Sequence, residues 1–400
     1  MNWRDVVGGS LLVLTLLFSV PVFVFLFQIV AATLARRPKR PTNSRERSET
    51  AAVLMPAHDE AGGIGPAIAA ALAQLRPADR LLVVADNCGD NTATVARAAG
   101  AEVTERQDSQ RRGKGYALDH GIRALEGDPP AVVVILDADC IVAPGSIERL
   151  VASCLATGLP VQALYLMHAP AGAPLGTRIA EFAWIVKNKL RPAGYYALGW
   201  PCPLMGTGMA FPWPLLRDAP LASSHLVEDM RLGLDLAEAG SPPIFCPDAL
   251  VTSVFPADAE GVRSQRTRWE HGHLALLATF GPRLLWSGLA RRRGGLVAMA
   301  FDLMVPPLAA LSMVLGALLI VNALWSLIGT AMPLAVSSAA LAALALAVTL
   351  AWQREGRALL APRELLGLPL YIAAKIPIYW RLFTKRQVEW VRTKRDGRRS

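Results

Sequence analysis

The feature that most restricts this chain is an uninterrupted apolar stretch near its start: residues 11–35 carry no charged side chain. At about 25 residues it exceeds the ~20 a helix needs to cross the hydrocarbon core of a bilayer, and it outruns the ~7–15 apolar residues of a secretory leader. Arg4 is the only basic residue ahead of it. An anchor is therefore expected rather than a cleaved leader. A second apolar region covers 296–352, and the 53% hydrophobic composition is concentrated in these two places. Between them, short apolar runs alternate with Gly, Asp and Pro, the pattern of an α/β domain.

Arg36, Arg37, Lys39, Arg40, Arg45 and Arg47 follow the first stretch directly. Basic residues flanking a span face the cytosol, which places the short N-terminus outside and the middle of the chain inside. Lys385, Arg386, Arg392, Lys394, Arg395, Arg398 and Arg399 mark the C-terminal tail as cytosolic by the same rule. An even number of crossings must then separate residues 269 and 380, and two are expected: 298–324, kinked by Pro306 and Pro307, and 332–352. Residues 276–289 and 365–383 mix Pro and charge into apolar runs, as interfacial helices do. The net charge of +9 comes mostly from these flanks and Arg291 to Arg293, which suits anionic headgroups and argues against nucleic acid as a partner. The five cysteines are widely spaced without a C-x-x-C pair, so neither a zinc site nor a disulfide framework is indicated.

In the middle region, the apolar runs 51–55, 81–85 and 132–136 each stop at a polar cluster, as buried parallel strands do. Residues 64–75 and 92–99 have helical spacing between them, which gives a β-α-β-α order. Ligand sites in open parallel sheets form beyond the carboxyl ends of the strands. The clusters there are His58-Asp59-Glu60, Asp86-Asn87 with Asp90, and Asp137-Ala138-Asp139. Asp90 and its neighbours are ordinary helix-capping types. Asp137 and Asp139 are different, because two carboxylates facing one cavity repel each other unless a cation lies between them. Mg²⁺ or Mn²⁺, carried with a nucleotide diphosphate, is the expected cation. Neither G-x-G-x-x-G after the first strand nor G-x-x-x-x-G-K-[ST] occurs, which disfavours a dinucleotide oxidoreductase and a P-loop NTPase.

The motifs run in a telling order: Pro56-Ala57-His58-Asp59-Glu60, the 84–92 segment containing Asp86, Gly113-Lys114-Gly115, Leu136-Asp137-Ala138-Asp139, Gly206-Thr207-Gly208, Val227-Glu228-Asp229 and Gln265-Arg266-Thr267-Arg268-Trp269. Over residues 51–273 the chain resembles the processive-type family 2 membrane glycosyltransferases, the group of cellulose, chitin and hyaluronan synthases and ceramide glucosyltransferases. The resemblance implies an α/β fold: a glycosyltransferase A-type, Rossmann-like cytosolic domain beside α-helical transmembrane segments. It implies that Asp139 and Asp137 hold the Mg²⁺ or Mn²⁺, and that Pro56, His58, Glu60, Asp86, Lys114, Asp137, Gln265, Arg266 and Arg268 bind the donor, with uridine as the base. Gly206, Thr207, Glu228 and Trp269 would bind the acceptor, and Asp229 would be the catalytic base of an inverting displacement. Arg266 and Arg268 offer forked donors to the charge that builds on the departing phosphate. Trp269 has the alternative of an interfacial anchor. His271 and His273 have a spacing that a metal site also uses, but polar helix-face residues are expected.

The sequence departs from the family pattern at Ala85, where a second acid is common. It also has one span before the domain and lacks the long insertions of the largest synthases. The segment from Trp390 to Arg395 is similar to the gating segment of hyaluronan-type enzymes, and a solvated basic tail is the alternative.

The expected organisation is an anchor at 1–35, a basic linker at 36–50, a catalytic domain at 51–275, an interfacial helix at 276–297, two membrane helices at 298–353, and an interfacial helix with a basic tail at 354–400. Acceptor contacts are expected from 181–189 and 198–209, where Phe182, Trp184, Tyr195, Tyr196 and Trp200 offer flat faces, with plain core packing as the alternative. The expected function is transfer from a nucleotide-sugar to a lipid-linked or growing glycan acceptor in envelope or exopolysaccharide synthesis, by a multi-pass protein of the inner (plasma) membrane. A single-sugar transferase acting on ceramide, hopanoid or diacylglycerol is the near alternative. A non-catalytic sugar-nucleotide sensor or scaffold is the distant one.

Overall fold

The computed structural model describes residues 2–34, 47–223, 227–256 and 259–384, without the side chains of 259–266 and 381–384. The basic residues from Arg36 to Arg45 and the whole tail, including Trp390 to Arg395, lie outside the described residues. The chain divides into two compact units. One comprises Met1–Arg36, Gly172–Leu198 and His273–Arg386; the other comprises Arg37–Ala171, Gly199–Gly272 and Gln387–Ser400. Residues 172–198, inside the expected catalytic segment, thus cluster with the apolar helices.

The second unit is built on an eight-stranded sheet. Its strands are β1 (Ala51–Ala57), β2 (Arg80–Asp86), β3 (Glu102–Arg106), β4 (Val132–Ile135), β5 (Ile141–Val142), β6 (Val161–His168), β7 (Met209–Pro212) and β8 (Ile244–Val254). They lie in the order β3-β2-β1-β4-β7-β6-β8-β5. β1 pairs in parallel with β2 and β4, and β2 pairs in parallel with β3, as βαβ crossovers through Ile64–Leu72 and Thr92–Ala98 require. β7 turns the sheet antiparallel, pairing with both β4 and β6.

The central strands are apolar on both faces because helices cover both: Val53, Leu54 and Met55 are all fully buried. Burial of each such side chain contributes roughly 1.5–3 kcal/mol. Pro56 is tolerated in this inner strand because pairing with β4 ends at Leu54↔Ile135, so no ladder bond is lost on that side. At Gly208, φ is +65° and an added Cβ would come within 2.8 Å of Ala163 and of Val251, so only glycine lets the chain enter β7 there. Arg47, counted above with the basic flank, is instead buried in an ion pair with Asp79 at 2.6 Å and bonds Glu148 at 3.0 Å.

The first unit is helical. Among the described residues, three of its helices are long and apolar enough to cross a membrane: Trp3–Leu34, Leu308–Trp325 and Met332–Gly356. The expected kink at Pro306 and Pro307 is a full break, with one helix ending at Met304 and the next starting at Leu308. Two consecutive prolines remove two N–H donors and disfavour helical geometry in the residue before each, so the helix cannot continue through them. Val22, Phe25 and Ile29 pack against Leu311, Leu315, Ala340, Leu344 and Ala347. The small alanines allow close helix approach. The outward faces, with Val13, Leu17, Ile320 and Leu324 more than half exposed, are apolar as a lipid environment demands.

A buried polar knot ties the helices together: Gln28 donates to Asp302 at 2.6 Å, and Arg191 bonds both, at 2.9 Å to Gln28 and 2.8 Å to Asp302. Of the aromatic candidates for acceptor contact, Phe182 (4% exposed) belongs to the same apolar cluster as Phe25, and Tyr195 (2% exposed) is buried with its hydroxyl donating to the Ala298 carbonyl at 3.0 Å. The expected interfacial stretch at 276–289 is the latter part of one helix, Ala259–Ala290, which also carries the Gln265 to Trp269 motif. His271 and His273, expected as polar helix-face residues, are buried, and His273 Nε2 meets the Leu303 carbonyl at 3.0 Å.

Candidate active site

The polar clusters at the ends of β1 and β2 are joined by side-chain to backbone bonds. His58 donates through Nδ1 to the Asp86 carbonyl at 2.7 Å. Asp59 and Asn87 both adopt positive φ, +51° and +53°, a conformation that Asp and Asn tolerate better than other side chains. Asp59 accepts the Gly89 N–H at 2.6 Å, while Thr92 Oγ1 accepts the Glu60 N–H at 2.8 Å. Asp90 accepts the Thr92 N–H at 2.9 Å, the local capping role its residue type predicts. Glu60 opens the next helix, its carbonyl accepting from Gly63 and Ile64.

Lys114, the first residue of the Lys114–Leu125 helix, is the hub of the site. Its ammonium bonds the Asp137 carboxylate and donates to the Gly206 carbonyl at 2.6 Å. Burial alone would lower its pKa, but Asp137, Glu228 and Asp229 raise it on balance. Asp229 and Glu228 form the first turn of the Glu228–Ala239 helix, where the helix dipole favours negative charge. An added Cβ on Gly206 would lie 3.4 Å from Asp229 Oδ2 and 4.0 Å from Lys114 Nζ. Asp137, Lys114, Gly206 and Asp229 are thus gathered at one place. A cavity of about 200 Å³ opens beside them, bordered by Lys114, Glu228 and Asp229 and by the apolar Met209, Leu221 and Leu232. Burial and the neighbouring Asp229 push the Glu228 carboxyl up to about 7, against the pull of Lys114 and Arg268.

Asp137 and Asp139 present ligand atoms that, with Cys140 Sγ, all lie within 4.8 Å of one another. Asp139 Oδ2 accepts from Ser253 at 3.2 Å, and the Asp137 N–H donates to Thr207 Oγ1 at 3.0 Å. Two carboxylates this close suit a hard divalent cation. Cys140 is less suited, since burial and the nearby Asp139 and Asp137 push its thiol pKa well up. The donor set therefore fits Mg²⁺ or Mn²⁺ held by the two aspartates.

Thr207 is fully buried, and its hydroxyl oxygen accepts the Asp137 N–H. Arg268 and Trp269 are partly buried, and the side chains of Gln265 and Arg266 lie outside the described residues. Sequence reasoning missed Ser253 and Arg106. Arg106 ends β3 and bonds the Asp86 carboxylate at 2.7 Å. No short motif marks either residue; only the strand register brings them to the site.

A family model described as "Glycosyltransferase like family 2" matches residues 49–272, more than half of the chain. The chain belongs to this family and is a nucleotide-sugar glycosyltransferase built on the glycosyltransferase A fold. A mannosyltransferase from Pyrobaculum calidifontis, solved in complex with GDP-Man and Mn²⁺, is 18% identical, with 93% of this chain and 100% of that one covered and a TM-score of 0.52. At that identity the likeness speaks to the fold. A glucosyl-3-phosphoglycerate synthase from Mycobacterium tuberculosis is 26% identical over 52% of this chain and 68% of that one, with a TM-score of 0.35. No curated protein matches the sequence.

Proposed function

We propose that the protein is an inverting, metal-dependent transferase that passes a sugar from a nucleotide donor, a UDP-sugar foremost, to a lipid-linked or growing glycan acceptor at the cytosolic face of the inner membrane. The observation that carries this reading is the Lys114 bridge: the ammonium that binds Asp137 also reaches the Gly206 carbonyl, and Gly206 abuts Asp229. A diphosphate-side acid and a candidate base thereby border one cleft.

In this reading the donor lies along the ends of β1, β2 and β4, near Pro56, His58, Asp86 and Lys114, and its diphosphate faces Asp137 and Asp139. Mg²⁺ or Mn²⁺ held by those two aspartates would neutralise charge on the diphosphate. Asp229 accepts the proton of the acceptor hydroxyl as that oxygen bonds the anomeric carbon. The bond from that carbon to the diphosphate oxygen breaks with its electron pair on the departing nucleoside diphosphate. Attack from the opposite face inverts the anomeric centre. Arg268, with Gln265 and Arg266, would add positive charge and donors for the leaving group, and Trp269 and Glu228 would face the acceptor. The three membrane-length helices support action at a bilayer, with one crossing before the domain and two after it returning the basic tail to the cytosol.

Adding one sugar to a lipid is the second reading. It is favoured by the small number of membrane-length helices among the described residues, which leaves little wall for a secretion channel.

A donor screen tests the function. Membranes containing the protein should release nucleoside diphosphate from a UDP-sugar with Mg²⁺ or Mn²⁺ present, and product sizing separates one added sugar from a ladder. Absence of release from every sugar nucleotide, with lipid acceptor supplied, would sink the proposal.

A further inference from the structure

Residues 282–293 turn one helix into the next, Ala259–Ala290 into Gly294–Met304, and sugar transfer makes no use of them. Gly288 lets the two helices meet, since an added Cβ would lie 2.9 Å from the Val297 nitrogen. Leu284 and Leu296 are buried in this hairpin, whereas Trp286 is 75% and Leu289 58% exposed. Arg283, Trp286 and Leu289 follow at three-residue intervals, so they share one helix face. Arg283, Arg291, Arg292 and Arg293 are all exposed. From 276 to 304 the only acid is Asp302, and it pairs with Arg191 at 2.8 Å.

The tip of the hairpin is strained. The Arg293 N–H bonds the Gly288 carbonyl at 2.9 Å, and Arg292 between them has φ of +53°. A helix end of this kind ordinarily places glycine in the left-handed position, because glycine adopts it freely. Arginine there keeps a charge at the tip against the preference of the backbone, and such strain clusters at functional positions.

The second helix of the hairpin is apolar, but its 11 residues extend only roughly 16 Å, too short to cross the ~30 Å hydrocarbon core. Its Asp302 bonds Gln28, six residues before Leu34 at the end of the first membrane-length helix. That separation is about 9 Å of helix, so the hairpin's second helix joins the bundle near this end.

Resting on the reading that this end faces the cytosol, we propose that the 282–293 hairpin is a docking surface for anionic phospholipid headgroups of the cytosolic leaflet. Trp286 and Leu289 enter the interface, and Arg283 with the three arginines of the turn takes the lipid phosphates. Indole rings favour headgroup depth, and guanidinium forks match phosphate oxygens. Each basic residue near an anionic surface strengthens association about five-fold. A patch of this make-up selects charged lipid, where an apolar helix alone would accept any lipid.

Trp286 reports on the surface directly. The full-length protein is reconstituted into phosphatidylcholine vesicles, and the emission of Trp286 is the difference between wild type and Trp286→Phe. Lipids brominated near the headgroup end of their chains quench neighbouring indoles. A small fraction of brominated phosphatidylglycerol should quench that emission at least ~3-fold more than the same fraction of brominated phosphatidylcholine, and high salt should reduce the excess. Replacing Arg291, Arg292 and Arg293 together by Gln, in both backgrounds, should bring the two lipids to parity. Arg292→Gly alone suits the turn and should lessen the excess, which keeps the test available should the triple variant fail to fold. Equal quenching by the two lipids in the wild type, an excess that survives these substitutions, or a Trp286 emission that no lipid quenches overturns the proposal. Selective quenching in a protein that transfers no sugar to any acceptor would end the transferase reading and leave this one standing.

Discussion

The Lys114 ammonium donates to the Gly206 carbonyl at 2.6 Å while it binds the Asp137 carboxylate, so one cation joins a helix start, the end of β4 and the loop leading into β7. Its removal leaves Asp137, Glu228 and Asp229 short of counter-charge. The pair is only partly buried, and losing one charged hydrogen-bond partner there costs about 1–3 kcal/mol. Lys114→Met should therefore melt earlier and lose roughly 10–100-fold in kcat/KM, on the scale of a lost charged partner. Steady-state nucleoside diphosphate release and a melting curve measure both, and an unaltered variant would show that the bridge is incidental.

Asp229→Asn keeps shape and removes the proton acceptor. Transfer should fall by ~10²–10⁴-fold, the usual contribution of a general base, with UDP affinity changed only slightly. Near-normal turnover would exclude Asp229 from the role.

Chelation should abolish turnover, and Mn²⁺ or Mg²⁺ should restore it. In Asp139→Ala, restoration should need far more metal, because one of the two carboxylates in the group is gone. A metal titration followed by activity reads the shift, and wild-type dependence in that variant would exclude Asp139 as a ligand.

Glu228 gives a pH prediction with a definite sign. Its carboxyl rises from 4.5 in the unfolded chain to about 7 in the fold, so the native state holds the proton more tightly. The stability it contributes is present below 4.5 and is lost as pH rises through about 7. Melting temperatures between these values should decline with pH, and Glu228→Gln should flatten that decline. An equally steep slope in the variant would assign the effect to another group.

Much of the fold was legible because it rests on local patterns. The runs at 51–55, 81–85 and 132–136 appear as β1, β2 and β4, since continuous apolar residues ending in polar clusters leave a buried parallel strand few alternatives. β3 escaped notice because Glu102, Glu105 and Arg106 break its apolar pattern near the sheet edge. Glutamates in the same short segment look like surface loop until pairing with β2 is known.

The sequence by itself determined the membrane-length helices, the acidic strand ends and the family, all of which depend on composition, period and motif order. Tertiary structure alone decided that Thr207 supports Asp137, that Ser253 holds Asp139, that Arg106 clamps Asp86, and that His271 and His273 turn inward. The reason is physical: these partners lie as far apart as 114 residues, from Asp139 to Ser253, and meet only because crossovers and strand register bring them together.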